Sequence, residues 1–339
     1  MKRNIAVLVG LLFVVGFFVG LSYAAEKVVT LEFSSLPPAQ DKLSLTLREF
    51  GKEMETKTNG RLKVNFHPGS ALTPPQQTYD SVLKGVIDIG EATLGLTVGR
   101  FPLMEVMDLP SGIINSANMT KMVNEFYKKF KPKEFDGVKV LFFTMPGQQY
   151  FRTKKPVRKL EDLKGMKIRV AGGSIVNVVK ALGAAPVVLP PADTYDALSK
   201  GVVDGALYPW MAVQLLNLYE ILDYTTLNYS TSVAAAGFVV MNKSKWDSFS
   251  PDIQKIIDQL SEEYAVKMST VWDEKDEESI KLATTKKHQI ITLSKEEDER
   301  WHKQVTPVYD AYVKEKGAKG LPAAEALAWV REWVKKNQK

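Results

Sequence analysis

The chain has 339 residues, of which 45% are hydrophobic and 25% charged, with a formal net charge of +6 at pH 7. That balance belongs to a folded globular protein and excludes an intrinsically disordered one. There is no cysteine, which excludes disulfides, thiolate nucleophiles, Cys-ligated zinc and a lipobox-type lipid anchor.

Lys2 and Arg3 precede the apolar run Ile5 to Leu21, followed by Ser22-Tyr23-Ala24-Ala25-Glu26. A basic start, an apolar stretch and small residues describe a secretory signal peptide, with cleavage expected after Ala24. Removing Lys2 and Arg3 leaves a net charge of +4, from 43 basic and 39 acidic residues. The densest basic clusters, KKFKPK (128–133) and RTKKPVRK (152–159), lack aromatic interleaving. They read as solvated faces, not as a nucleic-acid surface.

Val28 to Phe33 alternates like a strand, and Pro37-Pro38 breaks it. Leu43, Leu47, Phe50 and Met54 keep helical spacing up to the Asn59-Gly60 stop, and Leu62 to Phe66 alternates again. A helix follows with Thr73 expected at the N-cap and Pro74 at its first position, stopping at Lys84-Gly85 before a strand over Val86 to Ile89. The β-α-β-α-β succession predicts α/β architecture. Val138 to Phe143 and Lys167 to Val170 read as further strands around a helical turn at Leu160 to Gly165. Gly172-Gly173-Ser174 opens a helix reaching Leu182, and Val187 to Leu189 is a short strand.

One stretch then recurs. PPQQTYDSVLKGVID (74–88) and PPADTYDALSKGVVD (190–204) lie 116 positions apart and agree at nine places: both prolines, Thr-Tyr-Asp, Lys-Gly-Val and the final Asp. Unrelated segments of this length share about one, since a typical residue makes up roughly 5–7% of a chain. The spacing far exceeds the roughly 20–50 residues of solenoid repeats, so it predicts two lobes built alike. Ligands of open α/β sheets bind at the carboxyl ends of strands. Gly90-Glu91-Ala92 and Ala206-Leu207-Tyr208 are therefore expected to face each other across a cleft. Beyond Ser250-Pro251, apolar residues from Ile253 to Trp272 mark one long helix, to about Ala283, able to tie both lobes together. Trp301, Tyr309, Tyr312, Trp329 and Trp333 continue as an aromatic helical tail that packs as core.

Enzyme chemistry is not written in the chain. His67, His288 and His302 have no metal-ligand spacing, and no G-x-S-x-G, Walker A or GxGxxG motif stands in the right context. No enzyme activity, cofactor or metal is expected. Arg169, on a strand between Ile168 and Val170, is the outstanding candidate contact, because a planar guanidinium matches a carboxylate bidentately.

The segment LEDLKGMKIRVAGGSIVNVVKALGAAPVVLPPADTYDALSKGVVDGA (160–206) resembles the substrate-binding proteins of tripartite ATP-independent periplasmic (TRAP) transporters. LKG-x-K-I-R-V, GA-x-P-V-x-L-P and Y-D-A-L-x-x-G-V-V-D-G occur together and in order, and a weaker match runs from Leu31 to about Thr306. The resemblance implies a two-lobed Venus-flytrap fold, each lobe a mixed sheet flanked by helices, with a long helix spanning both. On that architecture residues 25–146 form lobe I, 147–235 lobe II, and 236–275 return to lobe I. Residues 276–339 supply C-terminal helices on lobe II, and hinges fall near Met145-Pro146-Gly147 and Ala234 to Gly237. It also implies a periplasmic receptor that passes a small organic carboxylate to the small and large integral-membrane subunits of a symporter. Arg169 matches the family's carboxylate-clamping arginine, and Glu91 falls at a polar position of the first lobe. Two departures stand out. Leu207 and Tyr208, followed by Pro209 and Trp210, replace a Glu-Asn pair common in the family. Gln148-Gln149-Tyr150-Phe151 stands where many members carry a second arginine. The expected ligand is a monocarboxylate with an apolar or aromatic body, contacted by Arg169, Tyr208, Glu91, Gln148, Gln149, Trp210 and Tyr150. A dicarboxylate, a sugar acid, or a non-transport receptor of the same fold is the alternative.

Overall fold

The computed structural model describes residues 28–113, 115–286 and 288–337. The signal-peptide expectation lies outside these residues. Eleven strands form two sheets: β1 (Val29–Ser34), β2 (Leu62–His67), β3 (Ile89–Thr93), β4 (Val138–Thr144), β5 (Tyr150–Thr153), β6 (Lys167–Val170), β7 (Ala185–Val188), β8 (Gly205–Tyr208), β9 (Tyr224–Leu227), β10 (Gly237–Asn242) and β11 (Gln289–Thr292). The first sheet has the order β2-β1-β3-β10-β4 and the second β11-β9-β5-β8-β6-β7. Both are mixed: β10 runs antiparallel to β3 and β4, and β5 antiparallel to β8 and β9. The antiparallel members are the two strands that directly follow a chain crossing, from β4 to β5 and from β9 to β10. Sequence alternation missed β5, β9, β10 and β11. β5 and β10 are buried on both faces, so they carry no hydrophobic–polar period.

The repeat has a structural cause. Each copy forms a single turn of 3₁₀ helix (Pro75–Gln77, Pro191–Asp193), a short α-helix (Thr78–Leu83, Thr194–Ser199) and then a central strand, β3 or β8. Each threonine hydroxyl bonds back to the first proline's carbonyl, at 3.3 Å from Thr78 and 3.4 Å from Thr194. Lys-Gly-Val closes each helix with a Schellman motif. Val86 N–H donates to Ser81 O and Gly85 N–H to Val82 O; Val202 to Ala197 O and Gly201 to Leu198 O repeat the pattern. Gly85 and Gly201 take the left-handed φ of +71° and +70° that the motif requires. The closing aspartates start the neighbouring strands: Asp88 Oδ2 accepts from Glu32 N–H and Asp204 Oδ2 from Lys167 N–H, each at 2.8 Å.

Two details differ from the sequence reading. Pro74 occupies the cap position and Pro75 the first helical one, while Thr73 bonds the Thr78 hydroxyl at 3.1 Å. The strand expected at 86–89 begins only at Ile89, because Val86 and Ile87 both donate to Ser81 O and stay wrapped on the helix end.

The helix Pro251–Thr285 has 35 residues, roughly 52 Å at ~1.5 Å per residue. Its first half packs on the helices Lys42–Lys57 and Ser116–Phe130, its second half on Trp210–Leu215. Asp273 caps the first lobe's Ser116–Phe130 helix, accepting from Ser116 N–H at 2.7 Å and Ala117 N–H at 3.1 Å. One turn on, Asp276 accepts from Met211 N–H of the second lobe at 2.7 Å. The helix Lys295–Gly317 rests on the second lobe, where buried Trp301 meets Phe151 edge-on. The last helix, Ala323–Asn337, instead packs on the first lobe: Trp333 Nε1 donates to Glu125 at 2.6 Å and Trp329 meets Phe126. Second-lobe packing expected of residues 276–339 therefore does not extend to it. The lobes also meet at Gly172 and Gly173, read above as a helix-opening turn, which abut Gly95 and Asp108.

Two glycine substitutions separate conformational strain from crowding. A Cβ on Gly201 meets nothing within 4 Å, so Gly201→Ala is expected to lose only the left-handed penalty, about 1–2 kcal/mol. A Cβ on Gly172 lies 2.2 Å from Gly95 O, adding an overpacking cost of ~1–3 kcal/mol. Denaturant melts of the two variants check the order; equal losses refute the close inter-lobe contact.

Candidate functional site

The parallel strands of both sheets point their carboxyl ends into one cleft of about 520 Å³ between the lobes. Proline is the commonest residue of its walls. Pro37-Pro38 follow β1, Pro74-Pro75 open the first repeat, Pro190-Pro191 open the second, and Pro209 follows β8. Proline has no N–H and a fixed φ, so these walls are stiff and offer no backbone donors from those positions. Leu36, Leu43, Met211, Leu215 and Trp272 add apolar surface.

Arg169 is the sole cation among the described lining residues. Its side chain leaves β6, which β8 and β7 flank, so it is buried to 2% exposure. Nε donates to Leu189 O at 2.9 Å, and the guanidinium carbon sits 4.2 Å from the Tyr208 ring centroid. Tyr208 is held in turn by its hydroxyl, 2.7 Å from Thr194 Oγ1 of the second repeat. No carboxylate lies within ion-pair distance of Arg169 among the described residues, and burial pulls its pKa down. Neither terminal nitrogen has a hydrogen-bond partner among the described residues, and neither is sealed off from the cleft. The outer edge of the fork is open to an anion, in the geometry a carboxylate accepts bidentately.

The structure brings three of the seven sequence candidates to the cleft wall: Arg169, Tyr208 and Gln149. Glu91, Gln148, Tyr150 and Trp210 are buried but not among the lining residues. Glu91 accepts from Leu36 N–H at 2.8 Å and so fixes the loop after β1; burial pushes its pKa up to about 7. Gln148 Oε1 accepts from the Tyr150 hydroxyl at 3.1 Å. Trp210 packs with Tyr150 and Ala283 and lies 4.0 Å beneath Arg152.

Arg152 was read with the basic cluster 152–159 as solvated; it is fully buried. It sits in β5 opposite Ala206 of β8. Nε donates to Tyr208 O at 3.2 Å and Nη1 to Thr225 Oγ1 at 2.5 Å, while Nη2 is enclosed without a partner. Together with burial, it holds the His288 pKa down at about 4. Its strand setting, Tyr-Phe-Arg-Thr, was the available signal; an adjacent run of lysines concealed it. Among the described residues no group of three or more histidine or acidic side chains is disposed to hold a metal ion.

Residues 33–316 match the model of the bacterial extracellular solute-binding protein family 7, DctP. The chain belongs to that family. Its members are the solute receptors of TRAP transporters, which bind small carboxylates outside the cytoplasm and work with membrane components. Among solved structures, the chain is similar to a TRAP solute-binding protein specific for aromatic acid ligands from an unidentified marine microbe, with 27% identity, TM-score 0.86, and 92% and 100% of the two chains covered. It is also similar to a TRAP solute-binding protein of Rhodoferax ferrireducens in complex with copurified benzoate (27% identity, TM-score 0.85, 91% and 98% covered). By sequence it is 26% identical over 315 residues to the C4-dicarboxylate-binding periplasmic protein DctP of Rhodobacter capsulatus, covering 89% of this chain and 92% of that one.

Glu91→Gln tests the buried carboxylate. The raised pKa of Glu91 means that its ionisation opposes folding: stability is fully present below about 4.5 and lost as pH rises through about 7, by up to ~3 kcal/mol. Glu91→Gln keeps an acceptor for Leu36 N–H, so its stability relative to wild type is expected to climb across that window. Parallel melting curves over pH 4.5–8 would have to track each other if Glu91 ionised freely.

Proposed function

We infer that this chain is a receptor for a monocarboxylate with an apolar, aromatic body, which it delivers to the small and large membrane subunits of a TRAP symporter. The observation that carries this reading is a single buried cation whose terminal nitrogens have no partner among the described residues, in a cleft where proline, leucine and methionine outnumber the polar side chains. Desolvating a ligand carboxylate is tolerable only where a charge-assisted pair replaces its water. Arg169 supplies one such pair. A second carboxylate, as on a C4-dicarboxylate, would meet Asp193 and no further cation on the cleft wall. A sugar acid would leave several of its hydroxyls against proline, leucine and methionine. Relatives that hold aromatic acids or benzoate support the same choice.

In this reading residues 25–146 and 147–235 close as two lobes on the ligand, after export directed by residues 1–24. The bending segments are the two crossovers near Met145-Pro146-Gly147 and Ala234 to Gly237. They touch through one paired position, Gln149 N–H to Val233 O at 2.7 Å. The bound acid leaves unchanged, as suits a family of receptors rather than enzymes.

The test is thermal stabilisation by a panel of acids, with mass spectrometry of small molecules released from the purified protein. A ligand at 100 times its Kd adds about 2.7 kcal/mol of stability. Benzoate-like acids are expected to raise Tm, whereas succinate and glucuronate leave it unchanged. Arg169→Ala should weaken binding by roughly 2–5 kcal/mol, the usual range for removing one partner of a buried charge pair. A panel in which only dicarboxylates or uronates stabilise would overturn the monocarboxylate assignment.

A further inference from the structure

Two adjacent glutamines behave differently. Gln148 is committed to the interior, its Oε1 accepting from the Tyr150 hydroxyl. Gln149 lines the cleft at 3% exposure, yet its side-chain amide makes no hydrogen bond with any described residue, and its Oε1 is enclosed without a partner. Its backbone is fixed by the 2.7 Å bond to Val233 O on the opposite crossover, so the amide is presented from a rigid base. A buried polar group left unpaired is unfavourable. On the cleft wall the polar alternatives differ in kind. Tyr208 has its hydroxyl engaged by Thr194, Ser70 and Thr93 are half-buried, and Gln76 and Asp193 are exposed to water; Gln149 alone of these non-ionic groups is buried with its amide unpaired.

We propose that Gln149 is the residue that selects a hydroxyl-bearing aromatic acid over its unsubstituted parent, its amide pairing with the ligand hydroxyl while Arg169 holds the carboxylate. This rests on the carboxylate reading above and deepens it. The amide nitrogen, the end of the group that is not enclosed, donates to the hydroxyl oxygen. A ring carrying only hydrogen at that place leaves the amide unpaired, and sites built around a polar partner discriminate strongly against the analogue that lacks it.

The experiment is calorimetric titration of the full mature protein with benzoate, 2-, 3- and 4-hydroxybenzoate, phenylacetate and mandelate. Wild type is expected to bind at least one hydroxy acid about 10-fold or more tightly than its parent, the effect of one hydrogen bond with a formerly unpaired group. Gln149→Leu should bring that ratio to within about 2-fold while the parent acid binds as well as before or better. Gln149→Met, unbranched like glutamine, repeats the test if the leucine variant does not fold. A ratio that survives both substitutions, or a wild type indifferent to the hydroxyl, refutes the role of Gln149 and leaves the carboxylate reading intact. Failure of every acid to bind wild type overturns both.

Discussion

A guanidinium buried without a counter-charge is the constraint on which this structure turns. Bringing Arg169 to 2% exposure strips most of its hydration, and no carboxylate among the described residues returns the lost free energy. What the protein supplies is partial: one carbonyl at Nε and the π face of Tyr208, the latter worth about 2 kcal/mol or more when desolvated. Arginine tolerates this because its pKa starts so high that a downward shift leaves it charged. The surrounding elements are arranged to keep the fork where it is. Leu189, just past the end of β7, anchors Nε with its carbonyl; β8 ends in Tyr208; and the second repeat offers Thr194 to hold the phenol. The outer edge of the fork thus has no partner among the described residues, and it is the edge on which the proposed carboxylate would sit.

The cleft walls set how strongly that edge attracts. Charge pairs gain strength as the local dielectric falls, and proline pairs at the strand ends keep water-binding N–H groups out of the cleft surface. Arg152 adds a second buried cation two strands over, on the far side of β8, bonded to the backbone oxygen of the same Tyr208. Its burial lowers its pKa to about 10 and, with burial of the ring, keeps His288 neutral in the ordinary pH range. Neither arginine forms an ion pair among the described residues, although Asp276 lies near enough to Arg152 to favour its charged form.

Much of this was legible in the sequence, for identifiable reasons. The repeat could be read because each shared residue answers a local need: a threonine bonding back to proline, glycine at positive φ, and aspartate starting the next strand. The long helix could be read because its apolar face keeps one period. Arg169 stood out because alternation on a short strand exposes an odd charge. Contacts that depend on the packing of distant segments could not be read. Glu91 and Trp210 sit near the expected strand ends, yet one turns to the Leu36 amide and the other under Arg152. Arg152 was hidden among lysines that face solvent. The proline pairs read locally, as a strand break at Pro37-Pro38 and a helix start at Pro74; that several strand ends converge on proline becomes meaningful once the sheets face each other.

The same geometry bears on how the lobes can move. Asp273 and Asp276 lie one turn apart on the long helix, yet each caps a helix N-terminus in a different lobe. Such a cap satisfies backbone donors that otherwise lack partners and meets the positive end of the helix dipole, so breaking either one exposes an unpaired carboxylate and an unpaired amide together. Lys275, between them, pairs with buried Asp41 at 2.7 Å, adding a third tie to the first lobe. A large rotation about the middle of this helix would therefore sever bonds on both sides at once. The crossovers are softer, since residues 145–149 and 228–236 share one backbone pairing, at Gln149 and Val233. The lobe closure proposed above would therefore bend at these crossovers, with the long helix kept whole. It also places the unpaired Gln149 amide at the point about which the cleft opens, so a ligand group bound to it would sense the lobe angle directly.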